Sequence, residues 1–240
     1  MKFNKLLLGL IVFYAFLSSC SFNSEKPTMD KKLAANAATE GDVAQAASPL
    51  IASGVLPAGP ATPNPYLQNP QKFSEQVEIN FYDAVASMRQ KNWNHAETVL
   101  KQLSDKNPKL SGVYLNLGIV YRNKGDTEKA AAEFNRAINA NPRNVDAYNQ
   151  LAVLKREAGD FSAAENLYKK SLQIWPFYPE GHKNIAILYD LYLGKSEQAL
   201  PHYQAYQQLI SAPDKQVESW IADLQRRLND GKETGKVEAN

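Results

Sequence analysis

Residues 111–144 constrain this chain more than any other stretch. They read SGVYLNLGIVYRNKGDTEKAAAEFNRAINANPRN, a 34-residue unit in which Tyr114-x-x-Leu117-Gly118-x-x-Tyr121 is followed by Ala130-x-x-x-Phe134 and then Pro142. Each set spaces its marked residues three and four apart, which predicts one face of a helix. Gly125-Asp126 predicts the turn between the two helices and the cap of the second, and Pro142 ends it. Gly118 and Ala130 are small where two helices must cross closely, and Leu117, Tyr121 and Phe134 fill the space beside them. One helix pair of this kind cannot bury its own apolar face, so it requires neighbours of the same kind.

The neighbours are found 34 residues away on either side. Downstream, residues 145–178 carry Tyr148-x-x-Leu151-Ala152, Gly159-Asp160, Ala164-x-x-x-Tyr168 and Pro176, with Lys155 where an aromatic is expected. Upstream, residues 77–110 keep Ala84, Ala96-x-x-x-Leu100 and Pro108, and Phe81, Ala84, Val85 and Met88 form an apolar first-helix face. A fourth unit, 179–212, has Ile185-Ala186-x-x-Tyr189 and Ala199-x-x-x-Tyr203. One residue is inserted near Leu193-Gly194, so its first helix should run longer, and Pro201 should kink or fray the start of the second. After Pro213 an apolar stripe of Val217, Trp220, Ile221, Leu224 and Leu228 predicts a last helix over 214–228 that covers the open end of the array.

These motifs resemble the tetratricopeptide repeat, with Tyr114 where that family usually has Trp. The resemblance spans about 77–228 and implies an all-α fold: a tetratricopeptide superhelix, or α-solenoid, of about four helix–turn–helix repeats with a C-terminal capping helix. In that family the first helices line a concave groove. The sixth positions here are Tyr82, Asn116, Gln150 and Asn184, the ninth Val85, Ile119, Val153 and Ile187, the fifth Phe81, Leu115, Asn149 and Lys183, and the twelfth include Arg122 and Arg156. A row of carboxamides beside an apolar strip suits an extended or helical segment of another protein, because an amide both donates and accepts. The expected protein-binding residues are therefore Leu115, Asn116, Ile119, Arg122, Gln150, Val153, Arg156, Asn184 and Ile187. A clamp for a partner's C-terminal carboxylate is not expected, because its basic positions hold Asp146, Glu180, Phe81 and Val85.

The N-terminal 19 residues predict an export signal: Lys2 and Lys5, an apolar run over 6–17, then Ser18-Ser19. The sequence Leu17-Ser18-Ser19-Cys20 resembles the lipobox of bacterial lipoproteins, and Cys20 is the single cysteine of the chain. That resemblance implies cleavage before Cys20, acylation of its sulfur and, with Ser21 rather than Asp next, an outer-membrane anchor facing the periplasm. Several acyl chains together give stable anchoring. Seven of the 13 prolines fall between residues 27 and 70, and the 20–75 stretch shows no sustained period, so it reads as a disordered Ala/Pro-rich tether, extended through residues 57–65. Residues 230–240 read as a disordered tail.

Without Lys2 and Lys5 the chain balances at 25 basic and 25 acidic side chains, which gives no electrostatic pull toward nucleic acid. The three histidines, His95, His182 and His202, have no metal-ligand spacing, and His182, at an aromatic position, is expected to pack. No phosphate loop or nucleophile elbow is present in the sequence. The chain is read as a non-catalytic scaffold without cofactor, metal or small-molecule substrate, whose partners are one or more envelope proteins. It resembles in design both the pilotin-type lipoproteins, which bring a pilus or secretion-channel subunit to the outer membrane, and envelope-adaptor lipoproteins with tetratricopeptide repeats. A structural subunit that binds through its convex face is the other reading.

Overall fold

The computed structural model describes residues 54–68 and 73–237, with side chains to residue 230. The export signal, Cys20 and the first part of the tether lie outside the described residues. Nine α-helices are described. They pair as α1 (Glu75–Arg89) with α2 (Trp93–Lys106), α3 (Ser111–Asn123) with α4 (Thr127–Ala140), α5 (Val145–Glu157) with α6 (Phe161–Ile174), and α7 (Pro179–Ile187) with α8 (Ser196–Leu209). Helix α9 (Lys215–Val237) follows. The architecture is an all-α tetratricopeptide superhelix in which each pair packs on the next.

The same small residue sits at every close crossing. Ala96, Ala130, Ala164 and Ala199 occupy equivalent places in the second helices and are all fully buried. Four residues later come Leu100, Phe134, Tyr168 and Tyr203, also fully buried. Facing them on the first helices are Ala84, Gly118, Ala152 and Ala186. A Cβ at Gly118 would overlap the Phe134 ring, so the contact leaves no room for alanine there.

Side-chain caps start α2, α4, α5 and α6: Asn92, Asp126, Asn144 and Asp160 accept the backbone N–H three residues on, at 3.1–3.4 Å. Each such cap contributes about 1 kcal/mol. Asn144 also donates to the Ser111 hydroxyl, which in turn donates to the Ala137 carbonyl, at 2.8 and 2.7 Å. This buried chain of bonds joins the start of α3, the end of α4 and the start of α5.

A second set of polar contacts ties successive pairs. Glu97 of α2 accepts from Lys101, from Lys124 at 2.6 Å and from the Tyr121 hydroxyl at 3.2 Å. Two repeats on, Glu165 of α6 accepts from Lys169 at 2.6 Å and the Tyr189 hydroxyl at 3.1 Å, with Lys195 at 3.6 Å. In the pair between them the acidic place holds Ala131 and the aromatic place holds Lys155. Lys155 is thus the one first-helix position whose acidic partner is missing, and it turns to Asp160 at 3.6 Å instead.

The inserted residue of the fourth repeat is absorbed in one π turn, Leu188–Tyr192, which extends α7. Its closing bond runs five residues back, from Leu193 N–H to the Leu188 carbonyl at 3.1 Å. Helix α8 runs on through Pro201 to Leu209. Asp214 caps α9 by accepting from Gln216 and Val217 N–H at 3.1 and 3.2 Å, and Lys183 holds the same carboxylate at 2.8 Å. Val217 and Leu224 are fully buried, and the Trp220 ring lies 5.5 Å from that of Tyr203. Trp220 therefore closes the array, as its place in the stripe predicts.

Two expectations are corrected. Helix α9 continues to Val237 rather than ending near Leu228 with a disordered tail over 230–240; Lys232, Glu233 and Lys236 are good helix formers that carry it past Gly231 and Gly235. Part of the supposed tether is also not disordered: Leu56 is buried with Phe177 and Ala205, against Val55, Trp175 and Leu209.

The turn inside each pair needs a positive φ, with values of 82° at Gly125, 79° at Gly159 and 63° at Gly194. In the first pair Lys91 takes that place at φ 60°. A left-handed backbone costs a residue with a Cβ about 1–2 kcal/mol. Lys91→Gly should therefore raise stability by about 1 kcal/mol in urea unfolding, less than the full strain because glycine is also freer when unfolded.

Candidate protein-binding groove and rim

The first helices α1, α3, α5 and α7 present equivalent positions, and the expected groove residues divide into two groups. Leu115, Asn116 and Val153 are buried within the array. Ile119, Arg122, Gln150, Arg156, Asn184 and Ile187 are half-buried. The carboxamide row is committed largely to the array itself. Asn116 donates to the Gly112 carbonyl of its own helix at 2.7 Å, and Asn184 donates to the Asn149 side chain of the previous repeat at 3.0 Å. Gln150 accepts from Arg122 at 3.2 Å.

The two arginines do not form a free cationic pair. Arg122 of α3 reaches across to Glu157 of α5, which neutralises it. Arg156 lies over the Tyr192 ring at 5.6 Å, with its Nε and Nη1 buried and unpartnered among the described residues. The hydroxyls of Tyr168 and Tyr203 are likewise buried without a partner, and burial pushes the Tyr168 phenol up to about 12. At the fifth position, Lys183 is spent on Asp214 and the Tyr206 ring. The half-buried remainder is an apolar and amide face of Ile119, Gln150, Asn184 and Ile187.

The sequence reading missed the rim, the edge where first helices begin and second helices end. There Trp175-Pro176-Phe177-Tyr178 links α6 to α7, with the Trp175 and Tyr178 rings stacked at 5.6 Å. Three aromatics in a link of this length are the signal that could have drawn attention to it, since such links are ordinarily polar. The Tyr178 hydroxyl donates to Asp146 at 2.6 Å. Burial raises the Asp146 carboxyl above its ordinary value despite that bond. Burial, with Asp146 nearby, pushes Glu180 up to about 7.

His182 is fully buried, as expected of a packing residue, but it is also paired. Its Nε2–H donates to the Pro176 carbonyl at 2.7 Å, so its Nδ1 accepts from His202 Nδ1–H at 2.9 Å. Burial lowers both imidazoles, to about 4 and about 3, and keeps the pair neutral. Among the described residues no group of His, Cys, Asp and Glu has the arrangement of a metal site. No helix among them is long and apolar enough to cross a membrane.

Stacked helix pairs with small residues at each crossing, a half-buried first-helix face and a closing helix define a tetratricopeptide-type fold. The tetratricopeptide repeat family profile matches residues 83–140 and 115–179. No curated protein matches the sequence significantly. The fold is similar to the structure of Pseudomonas aeruginosa PilF, with a TM-score of 0.59 at 17% identity over 65% of this chain and 70% of that one. It is similar to TTC0263, a thermophilic tetratricopeptide protein of Thermus thermophilus, at 0.54 and 24% over 66% and 84%. It also resembles a double mutant of MamA RS-1, at 0.55 and 14% over 69% and 92%. At these identities the likeness is one of fold.

The Glu180 carboxyl gives a pH test of the rim. Its folded value is raised above the ordinary one, so the stability it contributes is fully present below about 4.5 and is lost as pH rises through about 7. Glu180→Gln should therefore stabilise the protein by on the order of 2 kcal/mol at pH 8 and by almost nothing at pH 4, read from denaturant midpoints at the two pH values.

Proposed function

We propose that this chain is a non-catalytic adaptor that holds a segment of a partner protein against its first helices and keeps it at the membrane through lipid on Cys20. The observation that carries the binding half is the face of Ile119, Gln150, Asn184 and Ile187, which recurs at repeat spacing and stays half-buried after the array has formed. A partner segment lying across it covers apolar surface, while Gln150 and Asn184 trade their bonds to Arg122 and Asn149 for polar groups of its backbone. The anchoring half rests on the lipobox-like Leu17-Ser18-Ser19-Cys20 and the apolar run before it. Together they describe an envelope scaffold facing the periplasm from the outer membrane, recruiting or assembling a complex of envelope proteins. The pilotin-type role is the form of this reading in which the partner is a pilus or secretion-channel subunit.

Both halves are tested in the native envelope. Cys20→Ala should move the protein from the membrane fraction to the soluble one; retention in the membrane refutes the lipid anchor. Ile119→Asp with Gln150→Ala should abolish partner capture by in-cell crosslinking while the helical circular dichroism is unchanged. Unchanged crosslinks in that folded variant would remove the partner from this face and favour the convex one.

A further inference from the structure

Residues 54–68 have no regular secondary structure, yet they lie along the rim of the repeat array. Two points hold them. At one end Leu56 is buried against Phe177 and Ala205, with Trp175 and Leu209 beside it. At the other, Asn64-Pro65-Tyr66-Leu67 forms a turn closed by Leu67 N–H to the Asn64 carbonyl at 3.0 Å and Tyr66 N–H to the Asn64 side chain at 2.9 Å. Proline after Asn suits that turn. The turn brings the Tyr66 phenol to the Ser111 hydroxyl and the Gly112 backbone, with the Asp146 carboxylate nearby, and burial pushes it up to about 12. Between the two points residues 57–63 are exposed, and one bond crosses to them, from Trp175 Nε1–H to the Thr62 carbonyl at 2.8 Å.

This is how a peptide sits on a domain. The backbone is a series of bends and turns without helix or strand, side chains reach two separate places, and an indole bonds a main-chain carbonyl, while the span between is solvated. The anchors fall on different repeats: Leu56 on the third and fourth, Tyr66 on the second and third. The helix pairs meanwhile have their own crossings and ties without it. Leu56, Phe177 and Ala205 also form a cluster of their own, apart from the core around Tyr168 and Tyr203.

We propose that the rim is a peptide-binding site distinct from the first-helix face, that residues 54–68 are its ligand in cis, and that a partner displacing them is a proline-rich segment without helix or strand, with an aliphatic residue and a tyrosine about ten residues apart. The chemistry follows from the resident. Prolines limit the entropy lost on docking an irregular chain, because each fixes its own φ. The aliphatic side chain fills the cluster at Phe177, and the tyrosine hydroxyl meets Ser111. Because the resident is covalently attached, it competes at a high effective concentration. The site is therefore closed to weak ligands and opens only to a segment that binds better than the chain's own.

The test uses the full chain with residues 54–68 replaced by a Gly/Ser stretch of equal length, and a fluorescent synthetic peptide of residues 54–68 as the probe. The peptide should bind the replaced chain saturably in fluorescence anisotropy and bind the unaltered chain about a hundredfold more weakly. A peptide carrying Leu56→Asp should not bind. In the full chain, Leu56→Asp alone should open the site and restore at least tenfold of the lost affinity. Absence of saturable binding to the folded replaced chain would overturn the proposal. So would equal binding to both chains, since the probe would then lie elsewhere. Loss of helical structure in both variants would overturn it as well, by making the segment part of the fold. A dimer of the unaltered chain that becomes a monomer on replacement would show the segment exchanging between copies, and would overturn the partner assignment.

Discussion

Every pair in this array rests on the same contact, the crossing of two helices over an alanine. Ala96, Ala130, Ala164 and Ala199 have no exposed surface, and the larger residue one turn on is buried as completely. An alanine at that place lets the backbones approach until the Leu, Phe or Tyr four residues later reaches the first helix. Where that ring meets Gly118 there is no volume left for a methyl group. The apolar area removed from water there contributes about 25 cal/mol for each Å², but the close fit fixes the angle between the helices. That angle, repeated, sets the curve of the first-helix face.

Burial alone does not set the register between pairs. The Glu97–Tyr121 and Glu165–Tyr189 contacts, each flanked by two lysines, join a second helix to the next first helix at a defined height. The lysines hold the Glu97 carboxyl down near 2, so the charge persists across the physiological range. Between these two ties the Ala131–Lys155 junction has none, and there the buried Asn144–Ser111–Ala137 chain, with Arg122 reaching to Gln150 and Glu157, takes over the linkage. Residues that look like groove residues by position are in this way drawn into holding the array together.

This division explains what was legible in the sequence. The helix pairs were, because their signals are local: three-and-four spacing, a capping Asp or Asn, a glycine turn and a proline stop each act within a few residues. The departure at Lys155 was visible, but its cause lay at Ala131, 24 residues earlier and on another helix. The positions facing the groove were legible as positions; what Asn184 and Arg122 bond was not, since each has its partner set by packing rather than by spacing. The His182–His202 pair and the docking of Leu56 on Phe177 join residues 20 and 121 apart, and no period announces either.

The docked segment also shows why a proline-rich stretch with no apolar face need not be a mere spacer. Ordering a chain costs about 1–2 kcal/mol of backbone entropy per residue, and one buried leucine returns about 1.5–3 kcal/mol. Fifteen flexible residues could not be held by Leu56 and Tyr66 on those terms. Pro57, Pro60, Pro63 and Pro65 change the balance, because much of that freedom is already lost in the undocked chain. Asn64 removes more by closing its own turn around Tyr66. Composition that argues against a packed element therefore argues for a dockable one, provided that a surface offers two widely spaced places to hold it. The aromatic link from Trp175 to Tyr178 is that surface, and it stands just before the first residue of α7, whereas Ile187 is the last residue of that helix. With its first-helix face half-covered by its own side chains, and its rim covered by its own chain, the array leaves little bare surface, so any segment docking on either must displace contacts already made.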